Sequence, residues 1–188
     1  GGVGKSLFLW FVAQHDKEKS TTFIDLDEST KTSSLRLADV VGEKRIKHFK
    51  ILNENKKLER EKILDLFEAL SKAKSENIYI DFGAPESEEF KKLLENDITA
   101  IDLQNELQTM GVELSAYVVI AGRDALASCV NYFNAIDTLV SGSFPVTALL
   151  NEGTFGGIES VETGKEALTQ KGIIFKSFGN LGDSEGGR

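Results

Sequence analysis

An α/β fold, with a mostly parallel central sheet held between layers of helices, is what this sequence predicts, and three observations predict it. Strand-like apolar runs alternate with helix-periodic segments along the chain, the pattern of successive βα units. The chain opens on Gly1-Gly2-Val3-Gly4-Lys5-Ser6 and runs directly into an apolar stretch, as a glycine-rich turn runs into a helix. Its 188 residues are 40% hydrophobic and 28% charged, which is long enough and apolar enough for one domain with a buried core. That composition excludes a disordered or collagen-like chain.

The elements follow in order. Leu7, Phe8, Leu9, Trp10, Phe11 and Val12 are apolar on every side, so the first helix is expected to be buried all round. Strands are expected at 21–26, 46–52, 77–82, 114–121, 146–150 and 173–178. Between them, Ile63, Leu66, Phe67 and Leu70 fit one helical stripe. Leu126, Cys129, Val130 and Phe133 fit another, which turns Cys129 toward the core. Pro85 followed by Glu86, Glu88 and Glu89 marks a helix start, with negative charge near the positive end of the helix dipole. The stripe Leu103, Leu107, Met110 closes at Gly111, placed to leave the helix in a left-handed conformation. No internal repeat or linker interrupts the chain, so a single domain is expected over 1–188, with 179–188 as a frayed tail.

Charge and cysteine content narrow the classes of partner. Lys plus Arg number 22 against 30 Asp plus Glu, a net charge of −8 that opposes nucleic acid and anionic lipid unless a local basic patch overrides it. Lys44, Arg45, Lys47, His48 and Lys50 form one such patch, the candidate for non-specific DNA contact. Lys56, Lys57, Arg60 and Lys62 are interleaved with Glu54, Glu59 and Glu61, which reads as a solvated helix face laced with charge pairs. One Cys and two His cannot build a disulfide framework or a Cys/His zinc site, and a reducing, cytoplasmic setting is the default expectation. His15 and His48 read as solvated or packed histidines. No apolar run approaches the roughly 18 residues of a membrane span.

The opening hexapeptide is the most informative segment. It matches the end of the P-loop pattern G-x-x-x-x-G-K-[ST], in which backbone N–H groups cradle phosphate oxygens, Lys reaches the β- and γ-phosphates, and Ser or Thr binds Mg²⁺. The first glycine of that pattern would fall two residues before Gly1. A P-loop also follows a strand, so residues are expected to precede Gly1, that first strand among them. Asp81 ends an apolar strand, where a P-loop enzyme holds the carboxylate that reaches the metal. Asp25 and Asp27 fall on one side of their strand by its period of two, and Asn151 follows the apolar run at 146–150.

These residues resemble the ParA/MinD-like ATPases. GGVGKS looks like the end of their deviant Walker A motif KGGVGK[ST]; Phe23-Ile24-Asp25-Leu26-Asp27 is similar to their second strand, and Ile78-Tyr79-Ile80-Asp81-Phe82-Gly83-Ala84-Pro85 to their Walker B strand. Where the family continues with Pro-Gln after the second Asp, this chain has Glu28-Ser29-Thr30-Lys31. The resemblance implies a P-loop NTPase three-layer sandwich that binds ATP and Mg²⁺. Gly1, Gly2, Val3, Gly4, Lys5, Ser6 and Leu7 would hold the nucleotide, and Asn151 would read the adenine edge, with the loop at 178–181 completing the base pocket. It further implies Lys5, Asp27 and Asp81 as catalytic residues, and Ser6, Asp27 and Asp81 around the metal. The function it implies is a slow, dimerising ATPase switch read by a partner protein in DNA partition, mobilisation or positioning of a cellular assembly. The family's signature Lys, which crosses to the partner's phosphates, would stand just before Gly1. Two other readings stay open: a P-loop enzyme using ATP on a small molecule, as dethiobiotin synthetase does, and a nucleotide-binding scaffold with negligible hydrolysis.

Overall fold

The computed structural model describes residues 2–17, 20–26 and 32–179. The chain is α/β and divides into two compact units: Lys5–Leu114, and Gly2–Gly4 with the chain from Ser115 onward. In the first unit α1 (Lys5–His15), β1 (Thr21–Asp25), α2 (Thr32–Val41), β2 (Ile46–His48), α3 (Arg60–Ser71), β3 (Asn77–Asp81), α4 (Ala84–Asn96) and α5 (Ala100–Thr109) follow in order. The second unit holds β4 (Ala116–Ala121), α6 (Leu126–Val140), β5 (Val146–Asn151), α7 (Ile158–Gln170) and β6 (Phe175–Phe178).

All six expected strands form, and their ladders are parallel. One sheet was expected; the described strands instead make two of three strands each, ordered β2-β1-β3 and β4-β5-β6. Hydropathy identifies a strand and the layer that covers it, whereas the choice of bonded neighbour is made between edges distant in sequence. The strand expected at 46–52 is shorter, Ile46–His48. Beyond His48 the chain leaves the ladder, and Leu52 makes only an isolated antiparallel bridge to Leu58.

The first sheet carries helices on both faces. Strand side chains alternate, so Phe23 packs with Leu9 and Ala13 of α1 and Leu37 of α2, while its neighbour Ile24 joins Ile63, Leu66 and Leu70 of α3 and Leu93 of α4 on the other face. The Ile63–Leu70 stripe is thus core, as its spacing predicts. The first helix departs from expectation, because only one of its faces enters that core. Leu9 and Ala13 are buried, but Leu7 and Phe11 stay 36% and 40% exposed. An apolar sequence allows burial on every side; burial on a given side requires a packing partner there.

In the second unit Val118, Ile120, Ala148 and Leu150 share a core with Val130 and Phe133 of α6 and Leu168 of α7. Cys129 packs half-buried against it, as the stripe predicts. Helix ends follow local rules. Pro85 sits in the first turn of α4 after Gly83, Thr99 caps α5 by accepting from the Asp102 N–H, and Gly111 leaves α5 at φ +75°. Glu86 at the start of α4 is buried, not solvated at the helix end. No helix of the described residues is long and apolar enough to cross a membrane.

The second basic run forms charge pairs, but with other carboxylates than the interleaved Glu54, Glu59 and Glu61, and Lys56 and Lys57 precede the helix. Lys57 pairs with Glu89 at 3.3 Å, Arg60 with Asp97, and Lys62 with Asp65. Of the first basic patch, Arg45 is committed internally: its guanidinium donates to the carbonyls of Thr21, Lys17 and Asp16. His15 and His48 are exposed.

Glu89 is the most heavily engaged surface carboxylate. It accepts from the Lys92 ammonium at 2.6 Å, and from the Leu58 N–H and Lys57 ammonium at 3.3 Å, tying α4 to the segment leading into α3. Lys92 above all, then Leu58 and Lys57, pull its pKa from 4.5 to about 2, against the opposing cost of desolvation. A carboxylate depressed in the folded state contributes stability above its unfolded pKa and loses it as pH falls toward the folded one. Urea unfolding is therefore expected to show a stability loss between about pH 5 and pH 2 that is shallower in Glu89→Gln. Identical slopes in the two proteins would remove Glu89 from the acid response.

Candidate functional site

Each unit carries its own group of chemistry-bearing residues. In the first, Lys5 and Ser6 are the opening residues of α1 and are half-buried. No acidic side chain lies in that first turn, so the positive end of the helix dipole meets no local counter-charge from its own sequence. Asp25 and Asp81 end the parallel neighbours β1 and β3 and stand level with one another in the ladder. Both are buried.

Level residues of adjacent strands point to the same face. Two residues earlier, Phe23 and Tyr79 are also level, and their rings stack at 5.7 Å in the core shared with α1 and α2. Asp25 and Asp81 therefore share the sheet face on which α1 packs, the helix that begins with Lys5. The ends of the strands are fixed by backbone bonds: the Leu26 N–H donates to the Asp81 carbonyl at 3.0 Å and the Phe49 N–H to the Asp25 carbonyl at 3.2 Å. On the other side of β1, His48 stands level with Asp25. Sequence spacing gave no sign of that neighbour, since the register of β2 is what creates it. Asp27 and Gly1 lie outside the described residues, as do 180–188, which hold all but the first residue of the expected tail and half of the expected base-pocket loop.

The second group is built on the end of β5. Gly2 and Gly4 have φ of +115° and +100°, conformations that favour glycine. Asn151 stands level with Ala121 of β4 and Phe178 of β6, on the face opposite the α6 and α7 core. Its side chain is 2% exposed. The carboxamide Nδ2 donates to the Val3 carbonyl at 2.9 Å, and Oδ1 has no hydrogen-bond partner among the described residues.

The turn after Asn151 holds it from behind. The Thr154 hydroxyl donates to the Asn151 carbonyl and accepts from the Gly122 N–H, both at 2.7 Å. Phe155 fills the space left by two glycines, since a Cβ at Gly122 or Gly164 would come within 2.6 Å of its ring. Buried Glu152 pairs with Lys165 at 3.0 Å, and with Glu162 it raises the pKa of that lysine. Sequence reasoning singled out Asn151 but none of these supports, which carry no motif of their own.

Among the described residues no three His, Cys, Asp or Glu side chains cluster as a ready metal site. The donors that the resemblance implies for a metal would instead be two carboxylates and a hydroxyl, Asp27, Asp81 and Ser6, all hard oxygen ligands. Such a set suits Mg²⁺, which commonly takes one or two protein carboxylates and completes its shell with water and substrate phosphate. No protein-family model, curated protein or solved structure matches this chain.

Proposed function

We propose that this chain binds ATP with Mg²⁺ and hydrolyses it slowly, as a P-loop switch of the ParA/MinD type whose ATP state dimerises and is read by a partner protein. The observation that carries the reading is the level pair Asp25 and Asp81, buried at the ends of neighbouring parallel strands on the face where α1 packs. A P-loop NTPase needs a carboxylate at that level of the sheet, because the helix after the loop delivers its Lys and Ser there. The positive φ of Gly2 and Gly4 supports the same reading. These glycines let backbone N–H groups approach an anion closely, and the Lys5 ammonium adds a full charge to the partial charge of the helix end.

When bound, Mg²⁺ would be held by Ser6, Asp27 and Asp81 and would neutralise phosphate charge. The chain's own residues bind the triphosphate through Gly1–Ser6 and orient an attacking water through Asp27. The base preference follows from a missing element: the chain lacks the N-K-x-D motif with which P-loop GTPases recognise guanine. Competition binding is expected to give ATP a clear preference over GTP. Protein carrying Asp27→Ala, which blocks hydrolysis, is expected to sediment as a dimer with ATP and as a monomer with ADP. Tighter GTP binding would overturn the nucleotide assignment, and an oligomer indifferent to nucleotide would move the reading to an enzyme that uses ATP on a small molecule.

A further inference from the structure

We propose that Asn151 is a positioning residue for the phosphate-binding loop: its side-chain amide fixes the Val3–Gly4 peptide and so aims the Gly4 N–H. The inference rests on the reading of Gly2–Gly4 as phosphate-binding backbone. A trans peptide is planar, with its C=O and N–H pointing in opposite directions. Because Asn151 Nδ2 holds the Val3 carbonyl at 2.9 Å, the Gly4 N–H of the same peptide is turned away from Asn151 and free to face an anion. Without that bond the peptide can flip at little cost, since Gly4 has no Cβ to resist it. A flipped peptide would present a carbonyl dipole to the phosphate in place of a donor.

The surroundings of Asn151 suit this task. Three glycines enclose its carboxamide: a Cβ at Gly4 would strike Nδ2, one at Gly179 would lie 2.7 Å from Oδ1, and one at Gly153 would lie 3.4 Å from Oδ1. Its own carbonyl is held by Thr154. At 2% exposure the residue has little room to turn, and one Nδ2 hydrogen faces the Val3 carbonyl while Oδ1 has no hydrogen-bond partner among the described residues. An amide that reads a base edge offers donor and acceptor together to the ligand. This one commits one of its two Nδ2 hydrogens to the loop.

Asn151→Asp keeps the shape and loses the donor, placing a carboxylate oxygen against the Val3 carbonyl. Gly179→Ala pushes on the amide from the other side without touching the loop, and its φ of +75° adds local strain. Titration calorimetry with inorganic tripolyphosphate, ATP and GTP is expected to show about tenfold weaker binding of all three to Asn151→Asp, with their ratios unchanged. Gly179→Ala is expected to shift the three ligands in parallel as well. Undiminished tripolyphosphate affinity in Asn151→Asp overturns the proposal, and if ATP alone weakens, Asn151 reads the base. Wild-type protein that binds neither tripolyphosphate nor ATP overturns the phosphate-loop reading itself. Should the variants fail to fold, side-chain amide exchange in the wild type decides: Asn151 Nδ2 protons are expected to be protected with and without ATP. Exchange at the free rate, or protection lost when ATP binds, overturns the proposal.

Discussion

Lys5→Ala is expected to abolish ATP hydrolysis and to weaken ATP binding by roughly 2 to 5 kcal/mol, the range for removing one partner of a close, partly desolvated charge pair. The lysine is half-buried at the first residue of α1, with no acidic side chain in that turn to neutralise it. In the proposed site its ammonium, a compact point charge, would meet phosphate in the ground state and more charge in the transition state. Its removal therefore lowers both affinity and turnover. Arg is not expected to restore activity, because its planar fork does not take the place of a compact ammonium at the first residue of the helix. Calorimetry and a phosphate-release assay read the two effects, and far-UV circular dichroism checks the fold. Turnover left intact in Lys5→Ala would overturn the P-loop assignment.

Asp81→Asn is expected to remove the dependence of nucleotide binding on Mg²⁺ while leaving metal-free affinity nearly unchanged. The substitution is isosteric, and the Asp81 backbone keeps its bond from the Leu26 N–H. What changes is one hard anionic oxygen in a buried position. Titrating ATP with excess Mg²⁺ and then with a chelator separates the two contributions. The gap between those curves is expected to narrow by on the order of tenfold or more in the variant. Equal losses in both conditions would assign Asp81 to the architecture of β3.

A large part of the fold was legible locally. The six strands fall on short runs that the sequence marks as strands, and the Ile63–Leu70 stripe, the Pro85 helix start and the Gly111 exit all rest on residues a few positions apart. The Gly1–Ser6 hexapeptide is legible for the same reason: its glycines, lysine and serine stand at consecutive positions. Where local pattern and outcome part, packing decides. Leu7 and Phe11 show this, being as apolar as Leu9 and Ala13 yet partly open, because periodicity states what a face can bury and not what meets it.

The sequence by itself determined the α/β class, the parallel strands, the glycine-lysine-serine turn at the head of α1, and the strand-end positions of Asp25, Asp81 and Asn151. The tertiary structure decided that the described strands form two sheets, that Asp25 stands level with Asp81 and His48, and that Asn151 turns its amide onto the Val3 carbonyl. The physical reason is separation along the chain. Helix and strand patterns are written in neighbours a few residues apart, whereas a ladder register, or a hydrogen bond between Asn151 and Val3, is fixed only when distant segments are packed and their polar groups must find partners.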